Sequence, residues 1–389
     1  MNATDIKVNQ MKRTPLYEIH QQLGGKLIEF GGWEMPVQYT SIVDEHLAVR
    51  KNAGLFDISH MGEIVVSGPA AEGFLNHALT NDVRKLAPGQ GQYTLCCKET
   101  GGVIDDLYVY RLAAAEYLLI VNASRIEADA AWLEKQLSLF PRSSQVTLRN
   151  VSDATAAVAI QGPRVAEFID ACFSGNATAG TAAAKPSALQ KNQVSQFSFE
   201  DQPVWVSRTG YTGEDGFEVV APAEEIAAIW RKIQAVGKTC GLKPAGLGAR
   251  DTLRTEVCYP LYGHELDEHT TPIEAGLGFF VALDKGEFVG RARLADQKAN
   301  GVGKKLVAFK MTDKSAPPRP HYPIWSTGPQ SAKIGEVVSG TQSPSLGMGI
   351  GLGYVPPNFA KPPTALEIEI RGKRAPALVV AKPFYRKVG

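Results

Sequence analysis

The chain has 389 residues, 44% hydrophobic and 21% charged, which is the composition of a globular protein with two or three domains. Its 41 Lys and Arg and 40 Asp and Glu leave a formal net charge of +1 without long runs of one sign, which argues against nucleic acid or an anionic membrane as a partner. Five cysteines without a C-x-x-C pair, and an N-terminus without a signal-peptide pattern, predict a soluble cytoplasmic protein with reduced thiols.

Three segments share the order of an apolar strand, a proline-marked turn and an amphipathic helix. The predicted strands are residues 64–67 before Pro69, 158–161 before Pro163 and 219–221 before Pro222. We expect each proline at the first helical position, where a missing N–H leaves no helical hydrogen bond unmade. A further helix is predicted from Ser124, because Ser124 and Glu127 have the spacing of a capping box.

Predicted hairpins and a β-rich C-terminus account for most of the remaining chain. The hairpins join residues 104–112 to 117–121 and 193–199 to 204–207, and the stretch 175–191 is expected to be a surface connection. Beyond Lys304 helix signals stop, and short strands are predicted at residues 306–311, 332–339, 366–371 and 376–381. We therefore predict an α+β protein with a separate all-β domain, which follows a charged linker at about residues 285–303.

Several segments look like known motifs but fail on spacing or context. His264 and His269 are five residues apart, which on a helix separates them by about 140° and prevents the shared zinc site of an H-E-x-x-H motif. The alternating glycines of residues 347–353 are followed by Tyr354-Val355-Pro356-Pro357 where a nucleotide-binding fold requires a helix. Gly303-Lys304-Lys305 lacks the upstream glycine and the following Ser or Thr of a phosphate loop, and there is no G-x-S-x-G motif. These failures argue against a zinc site and against dinucleotide, nucleoside-triphosphate and serine-hydrolase chemistry.

The segment 103–110 places two acidic residues side by side on a predicted strand. Because strand side chains alternate, Asp105 and Asp106 must face opposite sides, with Asp106 on the face of Ile104, Tyr108 and Tyr110. A carboxylate on a covered face needs a hydrogen-bond donor or a ligand. The alternative is an edge strand with one aspartate hydrogen-bonded to loop amides.

Two further segments combine flexible backbone with charged residues. Residues 209–218 hold three glycines and lead Glu218 into a strand, and residues 246–254 place Arg250 and Arg254 one helical turn apart. The alternatives are a tight polar surface loop and a solvated helix face with local ion pairs. The residues alone therefore indicate an α+β enzyme or binding protein with an acidic pocket.

Taken together, these segments resemble the glycine cleavage T-protein family of tetrahydrofolate-dependent aminomethyltransferases. The matching motifs run nearly end to end, at residues 13–17, 30–39, 55–61, 101–106, 210–218, 248–254, 266–272 and 382–385. The resemblance implies a three-domain cloverleaf around a central folate opening. It predicts residues 1–60 with 150–285 as a discontinuous first domain, 61–149 as the second and 300–389 as the all-β third.

The resemblance also implies a reaction and its partners. The methylene of an S-aminomethyl-dihydrolipoyl arm on H-protein would pass to tetrahydrofolate, a co-substrate, releasing ammonia and forming 5,10-methylenetetrahydrofolate. No metal and no nucleotide is expected to take part. Two alternatives remain open: a folate-dependent demethylase of a sulfonium or N-methyl compound, and a non-catalytic folate-binding protein. A requirement for the lipoylated carrier distinguishes the transferase from the demethylase.

The family pattern assigns roles to individual residues of this sequence. Asp106 is expected to assist proton movement at the folate nitrogens, which agrees with its aromatic-rich strand face. Glu218 is expected to accept two adjacent N–H groups of the pterin edge. Arg386 is expected to meet the anionic folate tail. The other residues matched to the folate site are Arg250, Tyr93, Met61, Tyr211 and Tyr259.

Overall fold

The structure is a computed structural model that describes residues 11–387, apart from the side chains of residues 176–178. Residues 1–10 and 388–389, which belong to the predicted first and third domains, lie outside the described residues. None of the helices in the described part of the chain is long and apolar enough to cross a membrane.

Helices and strands alternate irregularly along residues 11–387. The α-helices are α1 (Tyr17–Gln22), α2 (Ile42–Lys51), α3 (Ala71–Ala78), α4 (Ile126–Leu139), α5 (Ile226–Gly237), α6 (Leu247–Glu256) and α7 (Arg291–Asn300). The first fifteen strands are β1 (Lys12–Arg13), β2 (Lys26–Phe30), β3 (Trp33–Gln38), β4 (Ala53–Asp57), β5 (Gly62–Ser67), β6 (Gln90–Cys97), β7 (Val103–Ala113), β8 (Glu116–Val121), β9 (Thr147–Asn150), β10 (Thr155–Gln161), β11 (Ser174–Gly180), β12 (Val194–Phe199), β13 (Gln202–Ser207), β14 (Gly216–Pro222) and β15 (Leu242–Pro244). The C-terminal strands are β16 (Lys305–Met311), β17 (Pro323–Ser326), β18 (Lys333–Gln342), β19 (Gly349–Val355), β20 (Ala365–Ile370) and β21 (Lys373–Val380).

Two large sheets form the body of the chain before residue 285. The seven-stranded sheet has the order β11-β12-β13-β14-β10-β4-β15 and packs α5 on one face, where Phe217 and Trp230 are buried. Its other face packs against α6 through Phe56 and Ala249. The five-stranded sheet has the order β6-β7-β8-β5-β9 and buries one face under α3 and α4.

The C-terminal strands close into a six-stranded barrel with the order β16-β19-β18-β17-β20-β21. The alternating glycines that imitate a nucleotide motif lie on β19, and a Cβ at Gly351 would come within 2.5 Å of the Phe309 ring. These glycines therefore admit a large side chain to the barrel core. The α+β class and the all-β C-terminal region are confirmed, whereas the three domain boundaries stay a prediction.

The prediction of three strand–turn–helix units, each marked by a proline, is only partly correct. The strands form, but α3 begins two residues after Pro69, and Pro222 still belongs to β14. After β10, residues 165–167 and 169–171 form two short 3₁₀ turns instead of an α-helix. The three-residue spacing from Val165 to Phe168 suits a 3₁₀ turn, which has three residues per turn.

Three local predictions are wrong in whole or in part. The chain already turns at residues 123–125, so α4 begins at Ile126 and its N-terminus has no side-chain cap, which excludes the capping box of Ser124. The stretch 175–191 contributes to strand β11, which pairs with β12. The linker at 285–303 contains α7, whose buried Leu294 packs against the chain before it.

Candidate active site

A cavity of about 1350 Å³ opens where the two large sheets, the segment after α6 and the C-terminal tail approach one another. Ligand pockets usually measure about 300–1,000 Å³, so this cavity has room for more than one small reactant. Its wall includes every residue that was predicted to bind folate or act on it except Arg386, namely Met61, Tyr93, Asp106, Tyr211, Glu218, Arg250 and Tyr259.

Asp106 faces this cavity from β7, while Asp105 faces the interior. The predicted alternation is therefore correct, and the alternative of an edge strand is wrong, because β7 lies between β6 and β8. Asp105 is fully buried and accepts hydrogen bonds from the backbone N–H of Asn122 at 2.9 Å and from its Nδ2 at 2.8 Å. The predicted hydrogen bond between one aspartate and a loop amide is therefore found for Asp105, whereas Asp106 lies at the cavity wall.

The carboxylate of Asp106 is held from both sides. The Tyr93 hydroxyl donates to Oδ2 at 2.9 Å, and Nδ2 of Asn122 donates to Oδ1 at 3.0 Å. Burial raises the pKa of Asp106 to about 7, and the nearby charge of Asp105 acts in the same direction. A carboxyl group with a pKa near neutrality can both accept and return a proton.

Asn122 was not predicted from the sequence, although it joins the two aspartates. It follows the last residue of β8, and its side-chain amide donates to Asp105 and Asp106 together. An asparagine that ends a strand is usually a turn residue, so its position in the sequence does not indicate this contact. Only the antiparallel register of β7 and β8 brings it there.

Glu218 and Arg250 line the inner recess of the cavity, on the side of the seven-stranded sheet. Thr209 donates its hydroxyl to Oε2 of Glu218 at 2.7 Å, and burial raises the pKa of that carboxyl. Arg250 reaches the recess from α6, with its guanidinium 4.4 Å from the centre of the Tyr211 ring. The recess is therefore lined by both a carboxylate acceptor and a guanidinium donor.

Aromatic and sulfur-bearing side chains complete the wall. Tyr93 packs edge-on against Phe280 with ring centres 4.7 Å apart, and the ring centres of Tyr211 and Tyr259 are 5.9 Å apart. The Tyr211 hydroxyl donates to the backbone carbonyl of Pro260. Flat faces of this kind suit a planar heterocycle.

Phe279 was also missed, although its side chain lies on the cavity wall. It is 92% exposed and packs edge-on against Phe280, with ring centres 5.4 Å apart. Phe279 lies within the apolar run of residues 276–283. An exposed phenylalanine cannot be told from a buried one by such a run.

Arg386 is not brought to the cavity. Its side chain is exposed and donates to the backbone carbonyl of Lys382 at 3.5 Å, whereas Lys382 and Lys387 do line the cavity. The predicted role of Arg386 at an anionic ligand therefore has no geometric support in this structure.

The segment 246–254 contains two arginines with different surroundings. Arg254 is 1% exposed and forms ion pairs with Asp251 at 2.7 Å and Glu265 at 2.8 Å. It also donates to Ser339 of the barrel at 2.8 Å, so the interpretation of this segment as a solvated helix face is wrong. The guanidinium of Arg250, in contrast, donates no hydrogen bond to another residue within 11–387 and points at the recess.

The donor groups of the site do not form a metal centre. Within the part of the chain that the structure describes, no group of three His, Cys, Asp or Glu side chains could hold a metal ion. The arrangement combines a proton acceptor of nearly neutral pKa with a recess that offers one carboxylate and one guanidinium. This combination suits a planar, polar ligand that loses a proton as it reacts.

Comparison with known proteins identifies relatives over almost the whole chain. Residues 16–285 match the GCVT N-terminal domain, and residues 304–386 match the glycine cleavage T-protein C-terminal barrel domain. The chain is 48% identical to an aminomethyltransferase of Lysinibacillus sphaericus (strain C3-41), covering 97% of this chain and 99% of the relative. It is 46% identical, at the same coverage, to an aminomethyltransferase of Bacillus cereus.

A solved structure has the same fold. The glycine cleavage system aminomethyltransferase T from Bartonella henselae superimposes with a TM-score of 0.87 and is 33% identical to this chain. The match covers 97% of this chain and 99% of that one, so it includes both large sheets and the barrel.

Proposed function

Since this chain belongs to the glycine cleavage T-protein family and is an aminomethyltransferase, we propose that its cavity holds tetrahydrofolate with the folate nitrogens beside Asp106. The observation behind this proposal is that Asp106 and the Glu218–Arg250 recess open into one cavity from two different sheets. One ligand in the cavity can therefore reach both, with its ring system against Glu218 and Arg250 and its reacting atoms at the aspartate.

The donor of the one-carbon unit is proposed to be the S-aminomethyl-dihydrolipoyl arm of H-protein. When its methylene bridges N5 and N10 of tetrahydrofolate, the two C–N bonds replace one C–S bond and one C–NH₂ bond. The two nitrogen protons must then reach the leaving thiolate and the leaving amine, which depart as thiol and ammonia. The cavity volume leaves space for the arm beside the folate.

Asp106 is proposed to move one of these protons. Its pKa of about 7 makes the carboxylate basic enough to accept a proton from a folate nitrogen and acidic enough to pass it to the leaving group. Tyr93 and Asn122 each hold one of its oxygens, so the group has a fixed orientation. A positioned acid–base group of this kind contributes about 10²–10⁴ in rate.

Glu218 and Arg250 are proposed to bind the pterin ring. A pterin edge presents adjacent N–H donors, which a carboxylate accepts together, and a carbonyl oxygen, which accepts from a guanidinium. Hydrogen bonds to charged groups are worth about 1.5–3 kcal/mol each, so the loss of Glu218 is expected to weaken folate binding by about tenfold to several hundredfold.

The test measures ammonia and 5,10-methylenetetrahydrofolate released from an aminomethyl-loaded lipoyl carrier, with and without tetrahydrofolate. We expect equal amounts of both products, and a rate that depends on folate. Folate-dependent loss of a methyl group from a sulfonium or N-methyl compound, without need for the carrier, would support the demethylase instead. Folate binding without either reaction would support a binding protein.

A further inference from the structure

Gln161 is a buried glutamine whose amide is enclosed by the loop of residues 208–215, which connects β13 to β14. It is the last residue of β10 and is 1% exposed. Its Nε2 donates to the backbone carbonyl of Thr209 at 3.0 Å, and its Oε1 accepts from the Thr212 hydroxyl at 3.0 Å. One side chain therefore holds two points of the loop at a fixed distance.

The loop is shaped around this amide by two glycines. A Cβ at Gly210 would overlap the amide of Gln161, whose Oε1, Cδ and Nε2 are its three nearest atoms. A Cβ at Gly216 would meet the same amide and also the carbonyl oxygen of Ile160 at 2.5 Å. Gly210 does not have a positive φ, so the backbone alone would accept alanine there. The need for glycine at this position comes from Gln161.

The loop in turn sets the geometry of the recess. Thr209, whose carbonyl Gln161 binds, donates its hydroxyl to Glu218 at 2.7 Å. Tyr211, two residues further on, covers the Arg250 guanidinium. Through this loop, Gln161 is therefore connected to both Glu218 and Arg250, the two residues that are proposed to bind the pterin ring.

We propose that Gln161 is a positioning residue for folate, which fixes the 208–215 loop so that Glu218 and Arg250 present the correct recess to the ring. The inference rests on the proposed folate role of those two residues. It separates binding from chemistry, because Asp106 lies on the other sheet and is held by Tyr93 and Asn122.

The loop has further anchors that do not involve Gln161. Arg50 donates to the carbonyl of Thr212 at 2.7 Å and forms an ion pair with Glu214 at 2.9 Å. Arg208 forms an ion pair with Asp215 at 2.6 Å. A substitution of Gln161 is therefore expected to loosen the recess without releasing the loop.

The first test is Gln161→Met, which keeps the length of the side chain and removes its hydrogen bonds to Thr209 and Thr212, together with a longer one to the carbonyl of Ile160 at 3.3 Å. We expect the KM for tetrahydrofolate to rise about tenfold, and kcat at saturating folate to stay within about threefold of the parent value. Gln136→Met is the matched control, because Gln136 is a mostly buried glutamine of α4 that does not line the cavity. Its KM should be unchanged.

The second test is a double-mutant cycle between Gln161 and Gly210. Gly210→Ala alone should weaken tetrahydrofolate binding about tenfold, because the new methyl group displaces the amide. In a Gln161→Ala background the same change should cost less than about twofold, since the overlapping atoms are gone. If Gln161→Met folds poorly, Gly210→Ala provides the same KM measurement with the glutamine retained.

The outcomes separate the inference from the function on which it rests, provided that Glu218→Ala is measured in parallel. An unchanged folate KM in Gln161→Met, while Glu218→Ala raises it, would overturn the positioning role alone. The positioning role would also be overturned if Gln161→Met lowered kcat and the melting temperature together. Additive effects of the Gln161 and Gly210 substitutions in the cycle would overturn it as well. Unchanged affinity in both variants would refute the folate assignment of Glu218, and the inference with it.

Discussion

Replacement of Asp106 by asparagine isolates its proposed role in proton transfer, because the amide has nearly the same shape. The amide oxygen can still accept from Nδ2 of Asn122, and a tyrosine hydroxyl such as that of Tyr93 can accept from the new NH₂ group. The pocket is therefore expected to keep its form. What is lost is the ability to accept a proton at a pKa of about 7.

The expected effect follows from that loss. A positioned acid–base group contributes about 10²–10⁴ in rate, so kcat of Asp106→Asn should fall by about that factor. The dissociation constant of tetrahydrofolate should change by less than about threefold, because the binding recess lies on the other sheet. The assay combines single-turnover release of ammonia from the loaded carrier with fluorescence titration of folate.

The pH dependence provides a second check on Asp106. If the carboxylate acts as a base, kcat of the parent protein should fall about tenfold per pH unit well below the pKa of about 7, and this limb should be absent in Asp106→Asn. Asp284→Asn is the matched control, since it removes another carboxylate from the cavity wall. Parallel losses of kcat and folate affinity in Asp106→Asn, or an unchanged acidic limb, would refute the proton-transfer role.

Three further variants test other parts of the site and the fold. Tyr93→Phe removes a hydrogen bond that favours ionised Asp106, so the pKa seen in the kcat profile should rise by up to about one unit; a profile that does not move would contradict this. Glu218→Ala should raise the dissociation constant of tetrahydrofolate by about tenfold to several hundredfold in the same titration, with a smaller effect on kcat. Burial raises the pKa of Glu63 to about 8 from an ordinary 4.5, so the folded state retains a proton that the unfolded state loses between these values, and stability falls as the pH rises through this window. Glu63→Gln should therefore melt a few degrees higher than the parent at pH 8 and nearly equally at pH 4.5, as measured by thermal unfolding.

The strand containing the two aspartates shows what local sequence can predict. Alternation of side chains depends only on the backbone of one strand, so the opposite facing of Asp105 and Asp106 could be predicted without knowing any partner. The groups that hold Asp106 could not. Tyr93 and Asn122 are 13 and 16 residues away in the chain, and only the register of β6, β7 and β8 brings them to the carboxylate.

The predictions of helix boundaries and helix type were wrong for a related reason. A capping box at Ser124 requires an extended backbone at that residue, yet the chain already turns at residues 123–125. The apolar spacing after β10 predicted an α-helix, but its buried residues, including Val165 and Phe168, are also compatible with three residues per turn. Where α4 begins, and whether the segment after β10 forms an α-helix or 3₁₀ turns, both depend on how the flanking segments enter and leave the turn.

The residues matched by family resemblance divide in the same way. Five of them, Met61, Asp106, Tyr211, Glu218 and Arg250, lie within the matched motifs, and together with Tyr93 and Tyr259 they line one cavity. These seven residues nevertheless come from both large sheets, their connecting loops, α6 and the segment after it. Arg386 directly follows the short C-terminal motif 382–385, and it is Lys382 and Lys387 that line the cavity nearby. In a tail without regular structure, a one-residue difference in path changes which side chain faces inward, so a short match does not determine it.

The division of the site between two sheets has a consequence for how the protein tolerates change. Asp106 depends on contacts within the five-stranded sheet, whereas Glu218 and Arg250 depend on the 208–215 loop and α6. Each half has its own buried supports, Asp105 with Asn122 on one side and Gln161 on the other. A change confined to one half should therefore alter kcat or folate affinity separately, and effects of variants from different halves should add. Coupling between the two halves is expected only if a change moves the sheets relative to each other. The contact to examine for such movement is Tyr110 of β7, whose hydroxyl is hydrogen-bonded to Ser207 and Thr209 on the side of the other sheet.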